Sequence, residues 1–240
     1  MLKRLIQGFL GKFGFKLARI ENENRYYIDA KATIQSAREN NLGVREYLER
    51  LWNQEGSTEF VIGEMKKSSC FNGCARVCEI GPGAGRYLEL VVKYAAPRQY
   101  DIYEIAADWA EWLASTYAPA ATRQEADGST LKHTPDSSCQ LVHAHGVFVY
   151  LSLLNSYEYF SEMIRVCSPG GYIVFDFFSD AHFDLKMIEH WLQFPERYPV
   201  ILERKKILEF FSSHGFQLVH EFENKYGHSF SNYVIFKKQG

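Results

Sequence analysis

VCEIGPGAGRYLEL, Val77 to Leu90, is the stretch that decides the fold. Gly81, Gly83 and Gly85 stand at every second position, behind the β-type run Arg76 to Ile80 and ahead of a helical run that opens near Arg86. Glycine has no Cβ, so the backbone can turn sharply from strand to helix and a ligand can lie directly on it. An α/β sheet builds its nucleotide pocket this way, at the carboxyl ends of its strands.

The spacing bears on which nucleotide fits. The dinucleotide fingerprint GxGxxG receives a pyrophosphate at the helix N-terminus. Here the pattern is GxGxG, and Arg86 stands where the last glycine of that fingerprint would be. Glu79, two residues ahead of Gly81, would repel a pyrophosphate and suits a ligand that carries an amine and a sulfonium. EIGPGAG resembles motif I of the class I S-adenosylmethionine (SAM)-dependent methyltransferases.

The following motifs keep the order of that superfamily. QYDIYEI reads as a second strand ending at Glu104, 19 residues after Gly85. An acid at this distance commonly holds a ribose diol, and Asp101, earlier in the strand, reads as a solvated edge residue. EADGSTL follows the run Ala121 to Gln124. Asp127, with Gly128, resembles the position that meets the adenine amino group; an ordinary Asp-Gly turn is the other reading. Leu141 to His145 reads as a fourth strand opening on the acceptor pocket, followed by a helix over Ser156 to Val166. SPGGYIVFDFF resembles the family's Pro-Gly-Gly turn into a fifth strand, Tyr172 to Phe178. FQLVHEF and NYVIFKK close the chain as a strand pair. The resemblance covers Cys74 to Lys237 and implies a Rossmann-like α/β fold: a doubly wound, seven-stranded, mostly parallel sheet with an antiparallel last strand. It implies SAM as cofactor, with Glu79, Gly81, Gly83, Gly85, Glu104, Asp127, Gly128 and His143 around it.

Ahead of this domain (71–240), residues 1–70 read as an amphipathic start and a helical cap. Asp29 to Lys67 looks helical throughout, with Val44, Tyr47, Leu48, Leu51 and Trp52 on one face. Tyr47 either reaches the cofactor or is core. Leu2, Leu5, Ile6, Phe9, Leu10, Phe13 and Leu17 recur at helical spacing among Lys3, Lys12, Lys16 and Arg19. This stripe over residues 1–20 docks on the enzyme body, on a second subunit as a homodimer, or at a membrane interface.

The whole chain has 240 residues, 46% hydrophobic content and a net charge of −2. That is one sizeable soluble domain, with no basic stripe to suggest nucleic acid. Five cysteines, with no secretion signal, point to a reducing cytoplasm, or to a peripheral position at the inner face of its membrane. Cys70, Cys74 and Cys78 match no common zinc spacing, and no metal is expected.

HAHGVF after the fourth strand lacks the Asn/Asp-Pro-Pro-aromatic motif of amine-directed relatives. A hydroxyl of a small molecule or a glycan is therefore the expected acceptor, and the overall pattern is similar to bacterial methyltransferases of surface-polysaccharide assembly. A hydroxyl needs a base. His145, at the mouth of the fourth strand, is the first candidate, unless it is simply hydrogen-bonded to the cap. Asp176, Asp180 and His182 follow, and His228 stands further off. The alternative is a non-catalytic SAM-binding partner subunit.

Overall fold

The computed structural model describes residues 28–182, 184–193, 200–226 and 229–240. The amphipathic stripe of residues 1–20 and His228 lie outside these, and so does the side chain of His182.

Glycine turns and alternating apolar residues set the elements. The first strand, β1 (Arg76–Ile80), sends Val77 and Glu79 to one face of the sheet and Cys78 and Ile80 to the other. Gly85, in the left-handed region at φ 73°, ends the turn and starts helix α4 (Arg86–Ala95). Strand β2 (Gln99–Tyr103), helix α5 (Ala107–Thr116), the short β3 (Ala121–Arg123) and β4 (Cys139–Ala144) follow. Then come α6 (Leu153–Val166), β5 (Cys167–Ser179), a 3-10 turn (Asp180–His182) and α7 (Leu185–Gln193). The chain closes with β6 (Ile201–Leu202), α8 (Arg204–Ser213), β7 (Phe216–Tyr226) and β8 (Ser229–Lys238).

The sheet order is β3-β2-β1-β4-β5-β8-β7, with β6 pairing parallel to β5 off this path. β1 to β5 pair in parallel, and β8 inserts antiparallel between β5 and β7. This is the expected doubly wound architecture, with the last strand antiparallel. The Pro-Gly-Gly segment lies inside β5 rather than before it. The register with β4 slips between Cys139 and Leu141, and Gly170 adopts φ 72°. Gly171 has no room for a Cβ, which would sit 2.9 Å from the Ser168 carbonyl oxygen.

Two cores lie on the two faces. One gathers Phe160 from α6, Phe175 from β5, Phe211 from α8 and Phe236 from β8, with ring centroids 4.7 Å apart for Phe160–Phe175 and 4.3 Å for Phe211–Phe236. The other packs Val77, Leu141, Val174 and Ile235 under α4 (Tyr87, Leu88, Val91) and the cap residues Val61, Ile62 and Met65.

The region read as helical throughout is three helices: α1 (Ala30–Glu39), α2 (Val44–Leu51) and α3 (Ser57–Lys67). Asp29 caps α1 by accepting from the Ala32 amide at 2.7 Å. The start of α1 is tied to α5: Trp109 donates to the Ile28 carbonyl at 2.7 Å, and Asp108 accepts from the Ala30 amide at 3.0 Å. Arg45 of α2 pairs with Glu59 of α3 and with Glu89 of α4. The cap thus reaches the helix that starts at the glycine loop.

One expectation is corrected. Asp101 is not a solvated edge residue: its side chain is fully buried. Arg76 donates to it through Nε at 2.9 Å and Nη2 at 2.7 Å, Gln99 at 2.8 Å, Gln124 at 2.9 Å and Thr134 at 3.0 Å. β2 is an inner strand, flanked by β1 and β3, and the side chains of Arg76, Gln124 and Thr134 cover Asp101 on its face.

Candidate active site

The glycine loop is held from below and left open above. Gly81 donates to the Tyr103 carbonyl at 2.9 Å and Gly85 to the Pro82 carbonyl at 2.8 Å. Gly81, Gly83 and Gly85 all have positive φ (60°, 53° and 73°). A Cβ at Gly81 would come within 2.8 Å of Val147, and one at Gly85 would overlap Leu113. At Gly83 it would meet nothing within 4 Å, so the loop's own surface is open there.

Glu104, directly after β2, ties this loop to the next turn. Its Oε2 accepts from the Gly83 amide and its Oε1 from the Ala106 amide, both at 2.8 Å. Each carboxylate oxygen keeps a lone pair, so the residue can still receive a diol. Burial raises its pKa against these backbone donors.

Asp127 is exposed and turns on itself. Oδ1 accepts from the Ser129 and Thr130 amides at 3.0 and 2.8 Å, and Oδ2 from the Thr130 hydroxyl at 2.5 Å. The Thr130 hydroxyl and these amides lower its pKa to about 2. Gly128 follows at φ 87°. The local geometry is thus that of an Asp-Gly turn closed by Asp127.

Glu79, His143 and His145 come together on the α4 face of the sheet. Tyr100 donates to Glu79 Oε2 at 2.7 Å, and its oxygen stands 2.8 Å from His143 Nε2. His143 Nδ1 faces His145 Nε2 at 3.0 Å, and His145 Nδ1 faces the Tyr233 hydroxyl at 3.3 Å. That hydroxyl is 3.1 Å from Tyr87, whose ring stacks on His145 at 3.6 Å. Burial pushes Glu79 up to about 8, with Glu104 adding to it against the Tyr100 hydrogen bond. Burial pulls His143 down to about 3, and it pulls His145 well below the usual histidine range. Both imidazoles are therefore neutral near pH 7. His145 stands at the mouth of β4, as the sequence suggests, but both of its ring nitrogens already have partners.

The donor atoms of Glu79, His143 and His145 lie within 4.8 Å of one another, the span of a cation site. They are engaged with each other and with Tyr100 as hydrogen-bond partners.

Asp176 is fully buried on the same face, and its cross-strand partner is Tyr233. Its Oδ1 accepts from the Gly146 amide at 2.7 Å. Its Oδ2 has no hydrogen-bond partner among the described residues, and neither has the hydroxyl of Ser231 two residues before Tyr233. Burial pushes Asp176 up to about 6, against the Gly146 amide and against the Ser231 hydroxyl, which faces it outside hydrogen-bond geometry. An unpaired buried acceptor costs free energy unless a ligand uses it. Asp180 stands apart: it is exposed and accepts from the Ser179 hydroxyl and the Arg204 amide at 3.2 Å each. His182 ends the 3-10 turn.

The cap meets this site at Arg86. Its guanidinium lies 5.0 Å from the Trp52 ring and 5.6 Å from the Tyr87 ring, and it donates to Gln54 at 3.2 Å. Tyr47 is half-buried on α2. The residues that sequence reasoning missed are Tyr87, Tyr100, Ser231 and Tyr233. Their only signal was polarity at inward positions of strand and helix, which tyrosine's largely apolar body conceals.

The five cysteines are free and buried. Burial raises the thiols of Cys74 and Cys167 to about 12 and that of Cys139 to about 11, so they pack as small hydrophobes. Among the described residues no helix is long and apolar enough to cross a membrane.

A family model described as a methyltransferase domain matches residues 30–221. No curated protein matches the sequence. Among solved structures, the chain is similar to a magnesium protoporphyrin IX methyltransferase from Synechocystis PCC 6803 with bound SAH (12% identity, TM-score 0.60, 99% of this chain and 100% of that one). It is also similar to a SAM-dependent methyltransferase from Mesorhizobium loti (15% identity, TM-score 0.59, 77% and 99%). A third is an O-methyltransferase family protein from Burkholderia thailandensis (13% identity, TM-score 0.61, 82% and 60%). At these identities the likeness is one of fold.

Proposed function

We propose a hydroxyl-directed methyl transfer for this chain, which belongs to the methyltransferase-domain family. It is a SAM-dependent methyltransferase. The open face of Gly83, the bound carboxylate of Glu104 and the buried acid Glu79 suit a cationic nucleoside. The amino-acid end of SAM would lie by Glu79 and Gly81, its ribose by Glu104 and its adenine toward Asp127 and Gly128. His143 supports that end from beneath through its contact with Tyr100.

The observation that carries the acceptor class is the buried Asp176 Oδ2 facing the Ser231 hydroxyl, neither atom having a hydrogen-bond partner among the described residues. A neutral alcohol is a weak nucleophile, so transfer needs a group that takes its proton while the sulfonium gives up its methyl. An acid raised to about 6 is still ionised at neutral pH and is more basic than an ordinary carboxylate. Asp176 would accept the hydroxyl proton, the Ser231 hydroxyl would orient the acceptor, and His145 would form part of the wall. Asp180 and His182 would stand further out along the same edge. The O-methyltransferase fold relative and the lack of a basic stripe favour an oxygen of a small molecule or glycan precursor.

The test is turnover. Asp176→Asn keeps the shape and the Gly146 contact. It should retain SAM affinity by calorimetry and lose product formation roughly 10²–10⁴-fold, measured as S-adenosylhomocysteine release across a panel of hydroxylated acceptors. Unchanged turnover would exclude Asp176. Binding of SAM with no transfer to any acceptor in the parent protein would favour the non-catalytic partner subunit.

A further inference from the structure

The buried groups on the α4 face form one sequence of hydrogen bonds: Glu79, Tyr100, His143, His145, Tyr233, Tyr87; His143 Nδ1 also approaches Glu79 Oε1 at 3.7 Å, beyond hydrogen-bond distance. A hydroxyl offers one proton, and a neutral imidazole has one donor and one acceptor nitrogen. Choosing the direction of the Tyr100–Glu79 bond therefore fixes every other bond. With Glu79 ionised, Tyr100 must donate to it. His143 then carries its proton on Nε2 and His145 on Nε2, Tyr233 donates to His145 Nδ1, and Tyr87 donates to Tyr233. With Glu79 protonated and donating to Tyr100, every bond reverses. Both histidines then carry Nδ1 protons, Tyr233 donates to Tyr87, and the Tyr87 proton points out of the chain.

The two ends differ in access. Tyr100, His143, Tyr233 and Glu79 are 0–1% exposed, whereas Tyr87 is 7% and His145 9% exposed, beside the glycine loop and the end of β4. We propose that these six side chains are a two-state hydrogen-bond chain whose direction is set by the charge on Glu79, so that arrival of the cationic methyl donor turns the outward side of the Tyr87 hydroxyl from a proton donor into an acceptor. The proposal rests on the reading that the charged end of SAM lies by Glu79.

The proton balance closes. Going from protonated to ionised Glu79, one proton moves along each link from Glu79 to Tyr100, His143, His145, Tyr233 and Tyr87, and one proton leaves Tyr87. No residue other than Glu79 changes charge. The free protein near neutral pH holds Glu79 protonated, since burial raises it to about 8. A sulfonium and an ammonium brought beside it favour the ionised form.

The groups that face the chain are Glu104 after β2, Tyr117 after α5, Cys74 before β1, Asp176 on β5, Arg86 on α4 and Glu49 on α2, with Cys78 of β1 acting from the far face of the sheet. Glu104 raises Glu79, while Arg86 opposes Asp176 at Tyr233. Burial raises both Tyr87 and Tyr233, and Asp176 adds to it, so neither tyrosine ionises in place of Glu79.

The experiment uses full-length protein with ¹⁵N-labelled histidine. Two-bond proton–nitrogen spectra show which ring nitrogen is protonated, and His143→Asn and His145→Asn assign the signals. Without ligand, both histidines should shift together from Nδ1–H to Nε2–H as pH rises from 6 to 9, without either becoming cationic. At pH 7, saturating SAM should cause the same shift. Calorimetry in buffers of different ionisation enthalpy should then show release of about one proton per SAM. Tyr100→Phe should keep the release and uncouple the histidines. Glu79→Gln, which keeps size and hydrogen bonding, should abolish both the release and the pH response, and it serves if Tyr100→Phe fails to fold. Tautomers that stay fixed through both titrations, or that differ between the two histidines, would overturn the proposal. So would stoichiometric Zn²⁺ occupying the nitrogens that face each other. No SAM binding at all would overturn the methyl-donor reading instead, and the ligand-free pH titration would still decide the chain.

Discussion

Single residues in this protein do two tasks when they sit at turns. Glu104 holds the Gly83 and Ala106 amides and keeps a lone pair on each oxygen for a ligand. Glu104→Ala should therefore weaken SAM binding by more than the diol contacts alone, because the loop loses its anchor. Calorimetry should find affinity reduced at least about tenfold, given roughly 0.5–1.5 kcal/mol per net hydrogen bond and more for charged partners. An unchanged affinity would remove Glu104 from the ribose position. Gly85 is constrained more tightly, by φ 73° and by Leu113 against the place of a Cβ. Gly85→Ala combines backbone strain with overpacking and should cost about 2–4 kcal/mol in denaturant unfolding. Gly83→Ala has open space and meets only the backbone term, so the two variants separate steric from conformational cost.

At the level of elements, the insertion of β8 between β5 and β7 decides the core. It brings Phe236 of β8 against Phe211 of α8, with ring planes 10° apart, and both against Phe175 of β5. Phe211 is fully buried. Phe211→Ala should cost roughly 3–5 kcal/mol, since transfer and cavity terms add. Urea melts should show a lower midpoint, and a loss below 1 kcal/mol would mean that α8 does not carry this face. The same insertion places Tyr233 opposite Asp176 and beside His145. A closing hairpin is thus part of the site as well as of the sheet.

For the whole molecule, four buried titratable groups oppose each other. Glu79 and Asp176 have folded pKa values of about 8 and about 6, above ordinary values of 4.5 and 3.8. The folded state binds their protons more tightly, so their contribution is full at low pH and is lost as pH rises through the folded value. His143 is depressed from 6.5 to about 3, and His145 is depressed as well. Their contribution is full above 6.5 and is lost as pH falls. Between about pH 4.5 and 6 the two pairs offset each other. Above 6.5 only Glu79 still titrates among the four, so stability should decline toward pH 8. Glu79→Gln should remove that limb: its stability relative to the parent should rise from pH 5 to pH 8 in chemical unfolding. A parallel pair of pH profiles would show that Glu79 titrates alike in both states.

From β1 onward the five parallel strands, helices α4 and α6 and the closing strand pair were legible in the sequence, because glycine turns and apolar runs are local signals; α5, α7, β6 and α8 were not read from it. Strand starts at Arg76, Gln99 and Ala121 and helix α4 at Arg86 agree with the pattern, and the antiparallel hairpin at the end was legible as two apolar runs. The glycine loop and Glu104 were legible for the same reason: their chemistry lies within one strand and its turn. What only tertiary structure decided is how distant polar side chains share protons. Asp101 looked like an edge residue until β3 and Thr134 covered it. His145 read as a candidate base or as a histidine hydrogen-bonded to the cap; instead Tyr87, from a helix 58 positions earlier, and Tyr233, from a strand 88 positions later, enclose it. The physical reason is that a pattern of hydrophobicity records which way a residue points, whereas the partners of a buried polar atom depend on strand order across the sheet.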